Sequence, residues 1–216
     1  VDLYSHSGEP GFEERETLAS FLAAAAAGGF TRLAILPNTI PAIDNPASVA
    51  WLREKVVAGT GAQDSSEFSR PTVHKSRSTP SLRCWAALTT NVAGQQMTEL
   101  AELAASEIVG FADGKPLSNL LLVRRLLEYL RPLNQPIALW ACDPSLVGNG
   151  VMREGPEAMR FGLPGIPAIA ETTALSALLE CVETTGTPIH LMRVSTARSV
   201  ALIQSAKARG VPITAS

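Results

Sequence analysis

Short apolar runs alternate along this chain with longer segments of helical spacing, and that alternation restricts the fold more than any other feature. A strand, a helix and a second strand return the chain in its starting direction, so a series of such units builds a parallel sheet. Strands are expected at 1–4, 31–37, 82–88, 108–111, 136–142, 188–193 and 211–215. Helices are expected at 16–27, 46–58, 95–105, 118–130, 168–185 and 196–209, with Gly28, Gly29, Gly186 and Gly210 where helix ends need a left-handed residue. One βα series of this length fits an α/β fold, an incomplete (β/α)8 TIM barrel; a doubly wound sheet is the alternative that spacing leaves open. Two stretches interrupt the rhythm. Residues 59–80, rich in Gly, Ser, Thr, Arg and Pro, read as an exposed loop that contains His74 without a second ligand at metal spacing. Residues 143–167 form a long connection around an amphipathic piece at 155–161, on the side of a barrel where loops carry function.

With 216 residues, 46% of them hydrophobic and 18% charged, the chain can bury one substantial core. Its 18 basic residues are scattered among 20 acidic ones, which leaves no basic footprint for nucleic acid or an anionic membrane surface. The apolar run at 21–30 is too short to span a bilayer, holds two glycines and lacks the basic start of a signal peptide. Cys84, Cys142 and Cys181 are odd in number and share no paired spacing, which argues against a secreted disulfide framework and for the cytoplasm. The chain opens at Val1 directly on a strand, so further residues are expected upstream.

The opening segment Val1-Asp2-Leu3-Tyr4-Ser5-His6-Ser7-Gly8-Glu9-Pro10-Gly11 resembles the first strand of dihydroorotases, where Asp-x-His-x-His precedes an Arg-Glu-Pro-Gly turn. Further segments are similar in the same order. They are residues 24–31, Leu36-Pro37-Asn38-Thr39, Gly110-Phe111-Ala112-Asp113-Gly114, the block 154–171 with Gly-Leu-Pro-Gly-Ile-Pro, and residues 189–196 ending in Arg193-Val194-Ser195-Thr196. The resemblance is to the larger dihydroorotases of the amidohydrolase superfamily, found in or beside multifunctional pyrimidine enzymes. It implies a metal-dependent hydrolase barrel, a zinc centre at its C-terminal mouth, and reversible cyclisation of carbamoyl aspartate to dihydroorotate. Zinc would supply an activated water and polarise the amide carbonyl, provided that imidazoles and carboxylates hold it with one position open.

Carried over residue by residue, that implication meets several replacements. The two first-strand histidines of the family correspond to Tyr4 and His6, on one face of a strand, so only His6 remains. Asp113 matches the metal-binding aspartate, and is equally suited to a local turn before Gly114. The fifth-strand histidine is Trp140, whose indole has no lone pair for a metal and reads as a plug. The histidine before Val-Ser-Thr is Arg193, a permanent cation that repels a dication, while His190 reads as a packing neighbour. Gly8 stands where the family's carboxylate-binding Arg would be, whereas Asn38 matches a substrate-binding Asn. The family's last catalytic aspartate lies beyond Ser216. Cys142 shares the strand parity of Trp140, which makes a rebuilt His6/Asp113/Cys142 zinc site an alternative. The expectation is a dihydroorotase-like pseudoenzyme with a degenerate zinc site and a structural role, in a homo-oligomer or with aspartate transcarbamoylase, as the resemblance implies. The alternative is an active dihydroorotase or related cyclic amidase with a rebuilt site. A third reading is a receptor for a small-molecule carboxylate using Arg193 and Asn38.

Overall fold

The structure, a computed structural model, describes residues 1–59 and 79–216; residues 60–78, with His74 and most of the expected loop, lie outside the described residues. Along the chain run β1 (Asp2–Ser5), α1 (Leu18–Ala27), β2 (Arg32–Ile35), α2 (Pro46–Gly59), β3 (Ser81–Cys84), α3 (Leu100–Ala104), α4 (Leu120–Leu130) and β4 (Ala138–Trp140). After them come α5 (Pro144–Val147), β5 (Met152–Arg153), α6 (Pro156–Phe161), β6 (Gly165–Ile166), α7 (Ile169–Thr185), β7 (Ile189–Met192), α8 (Ala197–Ala208) and β8 (Ile213–Ala215). Helix starts follow side-chain caps. Thr17, Asn119 and Thr196 each accept a backbone N–H of the first turn of α1, α4 and α8, satisfying donors that have no partner within the helix.

β1, β2 and β3 pair in parallel in that order, and so do β4, β7 and β8. Phe111 joins the two groups by parallel bridges to Ala86 and Ile137. The order is sequential with no reversal, which rules out the doubly wound alternative, whose crevice depends on such a switch. Two expected elements are shorter than the sequence suggests. The strand at 108–111 contracts to Phe111, because the chain enters at Gly110 so close to its neighbour that a Cβ there would stand 2.3 Å from the Pro136 carbonyl oxygen. The helix at 95–105 begins only at Leu100, because Thr98 donates to the Ala87 carbonyl at 2.8 Å and Thr90 N–H donates to the Gln96 carbonyl at 2.9 Å, tying that segment to the strand end. The connection at 143–167 holds α5, α6 and the small parallel pair β5–β6.

Strand parity sorts the core. Ile35, Ile137, Leu139, Ile189 and Leu191 share one buried cluster with Leu122 and Leu126 of α4 and Leu175 and Val182 of α7. Each such side chain contributes roughly 1.5–3 kcal/mol by leaving water. The alternate positions Ala34, Leu36, Trp85, Ala112, Ala138 and Met192 form a second cluster with Tyr4 and Trp140 packed on it. That second face meets no helix layer; it meets itself. The Tyr4 ring lies 6.1 Å from Trp85 and 5.9 Å from His190, so β1 and β7 face one another across the inside of a rolled sheet. Among the described residues no ladder joins β8 to β1, so the roll is not closed. No helix among them is long and apolar enough to cross a membrane.

Candidate functional site

The roll carries side chains from distant parts of the sequence to the C-terminal ends of its strands. His6 follows β1, Asn38 follows β2, Trp140 ends β4 and Arg193 follows β7. Arg193 Nη2 lies 3.2 Å from His6 Nε2, and the other ring nitrogen, Nδ1, lies 3.1 Å from Asn38 Oδ1. A guanidinium only donates, so Nε2 is the acceptor and Nδ1–H donates to the Asn38 carbonyl oxygen. The Arg193 guanidinium carbon sits 4.6 Å from the centre of the Trp140 ring, an arrangement in which the cation is held by the negative face of the indole. Arg193 has a left-handed backbone, φ 60°, which costs a non-glycine residue about 1 kcal/mol or more and persists only where the surroundings hold it.

Glu171 does much of that holding. This buried carboxylate, in the first turn of α7, accepts the N–H groups of Ser195 and Thr196 at 3.1 Å and 3.0 Å, and the Thr196 hydroxyl at 3.0 Å. Arg153 of β5 pairs with it at 3.0 Å, and the Ser195 hydroxyl makes a short contact with both. Burial pushes the Glu171 carboxyl up, but hydrogen bonds from the Ser195 and Ser199 hydroxyls and from the N–H groups of Ser195 and Thr196 outweigh it and hold the group at about 2. Neither Glu171 nor Arg153 was singled out by sequence reasoning. The available signal was a carboxylate on the buried stripe of α7 shared by Leu175, Leu178 and Val182.

Asp113 is at the same end of the sheet but is engaged elsewhere. Its Oδ1 accepts the N–H groups of Leu88 at 2.7 Å and Thr89 at 3.1 Å, and its Oδ2 accepts the Thr89 hydroxyl at 2.5 Å. It is therefore a fastener for the loop after β3 rather than the local turn residue its Asp-Gly setting suggested. Burial raises its carboxyl, and the hydrogen bonds from Thr89 and Leu88 draw it part of the way back. Cys142, beyond the end of β4, lines a crevice of about 160 Å³ with Leu117, Leu139 and Leu178, where burial and the Glu171 charge push its thiol up. The Tyr4 hydroxyl is buried close to Ser216 and Arg193. Burial raises this phenol, and nearby Ser216 and Arg193 offset part of the rise. His190 is lowered by burial and is flanked by the hydroxyls of Thr214 at 2.8 Å and Ser216 at 3.1 Å, in keeping with a packing role. Gly8 stands where a Cβ would meet the Glu16 carbonyl oxygen at 2.5 Å, so the 8–16 turn fills the space that an arginine there would need.

This donor set does not fit a zinc ion. Both nitrogens of His6 and both oxygens of Asp113 are engaged by protein groups, Trp140 has no lone pair to offer, and Arg193 brings a positive charge. For the alternative His6/Asp113/Cys142 site, among the described residues no group of three or more His, Cys, Asp or Glu side chains is placed to hold a metal. The reason is that Asp113 turns to Thr89 and Cys142 to the crevice beside α4 and α7.

A rolled parallel sheet with its polar residues at the C-terminal strand ends defines the class of protein. The dihydro-orotase-like family model matches residues 1–199, and the chain belongs to that family. It is 43% identical to a protein of Synechocystis sp. described as dihydroorotase-like, over 100% of this chain and 50% of that protein. It is 39% identical to a dihydroorotase of Deinococcus radiodurans, over 99% of this chain and 47% of the relative. The chain thus spans about half the length of these curated relatives. In fold it is similar to the L-hydantoinase (dihydropyrimidinase) of Arthrobacter aurescens, with TM-score 0.67, 16% identity, and coverage of 100% of this chain and 46% of that one. It is also similar to the inactive dihydroorotase-like domain of the CAD-like multifunctional protein of Chaetomium thermophilum, with TM-score 0.50, 14% identity, and coverage of 99% and 49%.

Proposed function

We propose that this chain forms seven strands of a (β/α)8 barrel in a dihydroorotase-like protein whose metal centre is eroded, and that the barrel serves as a cytoplasmic structural or partner-binding subunit. The observation that carries this reading is the Arg193 guanidinium, seated on Trp140 and donating to the His6 nitrogen that a metal would use. A guanidinium stays protonated in proteins, so it can neither yield that lone pair to zinc nor generate a hydroxide near neutral pH. The free thiols Cys84, Cys142 and Cys181 are compatible with a reducing compartment. Assembly with an aspartate transcarbamoylase or as a homo-oligomer gains some support from the likeness to an inactive domain of a multifunctional protein. The second reading, an active dihydroorotase, is favoured by the 39% identity to a dihydroorotase and needs ligands other than the arrangement seen at His6 and Asp113.

The test is metal analysis and a dihydroorotate hydrolysis assay on the full-length protein. We expect no stoichiometric zinc and no turnover above the uncatalysed rate. The combined variant Tyr4→His, Trp140→His and Arg193→His should gain zinc, whereas Trp140→His alone should not, because groups that act as a unit are non-additive. Chelator-sensitive hydrolysis by the unmodified protein would overturn the reading.

A further inference from the structure

We infer that the N-terminal pole of the roll, at the opposite end of the strands from Arg193, binds a small phosphate monoester between the guanidinium groups of Arg32 and Arg83. This goes beyond the reading above and does not depend on the state of the metal site. Strand parity puts the two arginines together. Arg32 stands two residues before Ala34 and Arg83 two before Trp85, so both lie on the inner face whose centre is apolar. In the β2–β3 register Arg32 is beside Ser81 and Arg83 beside Ala34, which makes the arginines diagonal neighbours with backbones about 8 Å apart. They line one cavity of about 550 Å³ with Asp2, Leu3, Ser81 and Val109. Both are exposed, and neither takes part in an ion pair or a side-chain hydrogen bond among the described residues. Asp2 is the carboxylate on this cavity, but its oxygens accept the Tyr4 N–H at 3.0 Å and the Ser5 hydroxyl at 2.8 Å instead of an arginine.

The chemistry of the occupant follows from charge and shape. Two like charges on one face of adjacent strands repel, and an anion that meets both turns that repulsion into attraction. A guanidinium forks onto two oxygens, so a carboxylate would occupy one arginine and leave the other unmatched. A phosphate monoester dianion offers three terminal oxygens and two charges, enough for both forks, and the Ser81 hydroxyl beside Arg32 is a further donor. The cavity is larger than a phosphate group, and Leu3 and Val109 supply apolar wall for a small organic substituent. An extended polyanion is disfavoured, because Asp2 flanks the arginines and the chain as a whole carries a net charge of -2.

Calorimetric titration of the full-length protein in phosphate-free buffer of low ionic strength tests the inference. Phenyl phosphate and inorganic phosphate are the probes, benzoate the single-carboxylate control and phenol the uncharged one. Saturable binding of phenyl phosphate is expected, tighter than that of inorganic phosphate or benzoate, absent for phenol and weaker as salt rises. Arg32→Gln and Arg83→Gln should each weaken it at least about tenfold, since each removes a charge-assisted hydrogen bond. Arg32→Lys and Arg83→Lys keep the charge without the fork and should weaken it less; they carry the test where a glutamine variant is unfolded by circular dichroism. Arg193→Gln, at the other end of the strands, and Arg124→Gln, on the outer helix layer, should leave it unchanged. Inorganic phosphate bound as tightly as phenyl phosphate would overturn the choice of a monoester. A folded protein that binds no phenyl phosphate, binds it equally in the folded Arg32 and Arg83 variants, or loses it with Arg193→Gln overturns the inference.

Discussion

Asp113 and Glu171 are both buried carboxylates near the C-terminal ends of strands, and both collect N–H groups from a neighbouring loop, yet they do so on different electrostatic terms. Burial pushes the Asp113 carboxyl up by more than the hydrogen bonds from Thr89 and Leu88 and the charge of Lys115 lower it. Glu171 is held at about 2 by the hydroxyls of Ser195 and Ser199 and the N–H groups of Ser195 and Thr196, which outweigh its burial, and it also pairs with Arg153. The difference has a structural counterpart. Asp113 fastens one loop in the part of the mouth that keeps the family's His6 and Asn38. Glu171 ties β5, α7 and the loop after β7 together, in the part that carries Trp140 and Arg193. The Glu171 clamp fixes the backbone at Ser195 and Thr196, just after the left-handed Arg193.

The largest effect is expected at Glu171. Removing it leaves Arg153 unpaired and the Ser195 and Thr196 N–H groups unmet, so Glu171→Ala should cost about 3 kcal/mol in urea unfolding of the full-length protein, the partial exposure of Arg153 limiting the loss. A cost below about 1 kcal/mol would remove the asymmetry between the two clamps.

Next comes Asp113, where Asp113→Ala leaves two loop N–H groups unpaired and should cost roughly 2 kcal/mol. The pH dependences of the two clamps should run in opposite directions. Glu171 titrates near 2 when folded against an ordinary 4.5, so its contribution is complete above pH 4.5 and is lost as pH falls toward 2. The Asp113 carboxyl is raised above 3.8 when folded, so its linked contribution is complete below pH 3.8 and is lost as pH rises through the raised value. Unfolding at pH 3 and pH 7 should therefore show Glu171→Gln closer to the unmodified protein at the lower pH, and Asp113→Asn closer to it at the higher one. Parallel pH profiles would show that the two carboxylates do not differ in the way described.

The smallest effect belongs to the hydroxyl between Asp113 and the loop. Thr89 donates to Asp113 and accepts from Gly94 N–H at 2.9 Å, so Thr89→Val should cost about 1 kcal/mol in the same unfolding measurement and should leave the Arg193 site untouched. A cost in Thr89→Val that approaches that of Glu171→Ala would erase the contrast between a loop fastener and a site clamp.

What the sequence by itself determined is the part of the structure with a short period. Alternation of apolar residues placed the strands and, through their parity, decided that Ile35, Leu139 and Leu191 face the helices while Ala34, Trp140 and Met192 face inward. The same local order made the family-like segments legible, and the resemblance they carry is what implied that Tyr4, Trp140 and Arg193 stand at ligand positions. Partners across the roll were beyond its reach. That His6 would be gripped by Arg193, 187 residues away, that Asp113 would reach back to Thr89, and that Glu171 would gather the loop after β7 depend on the curl of the sheet and the paths of its connections. Those are set by how the two clusters pack against each other, and contacts between distant segments leave no periodic signal in the chain.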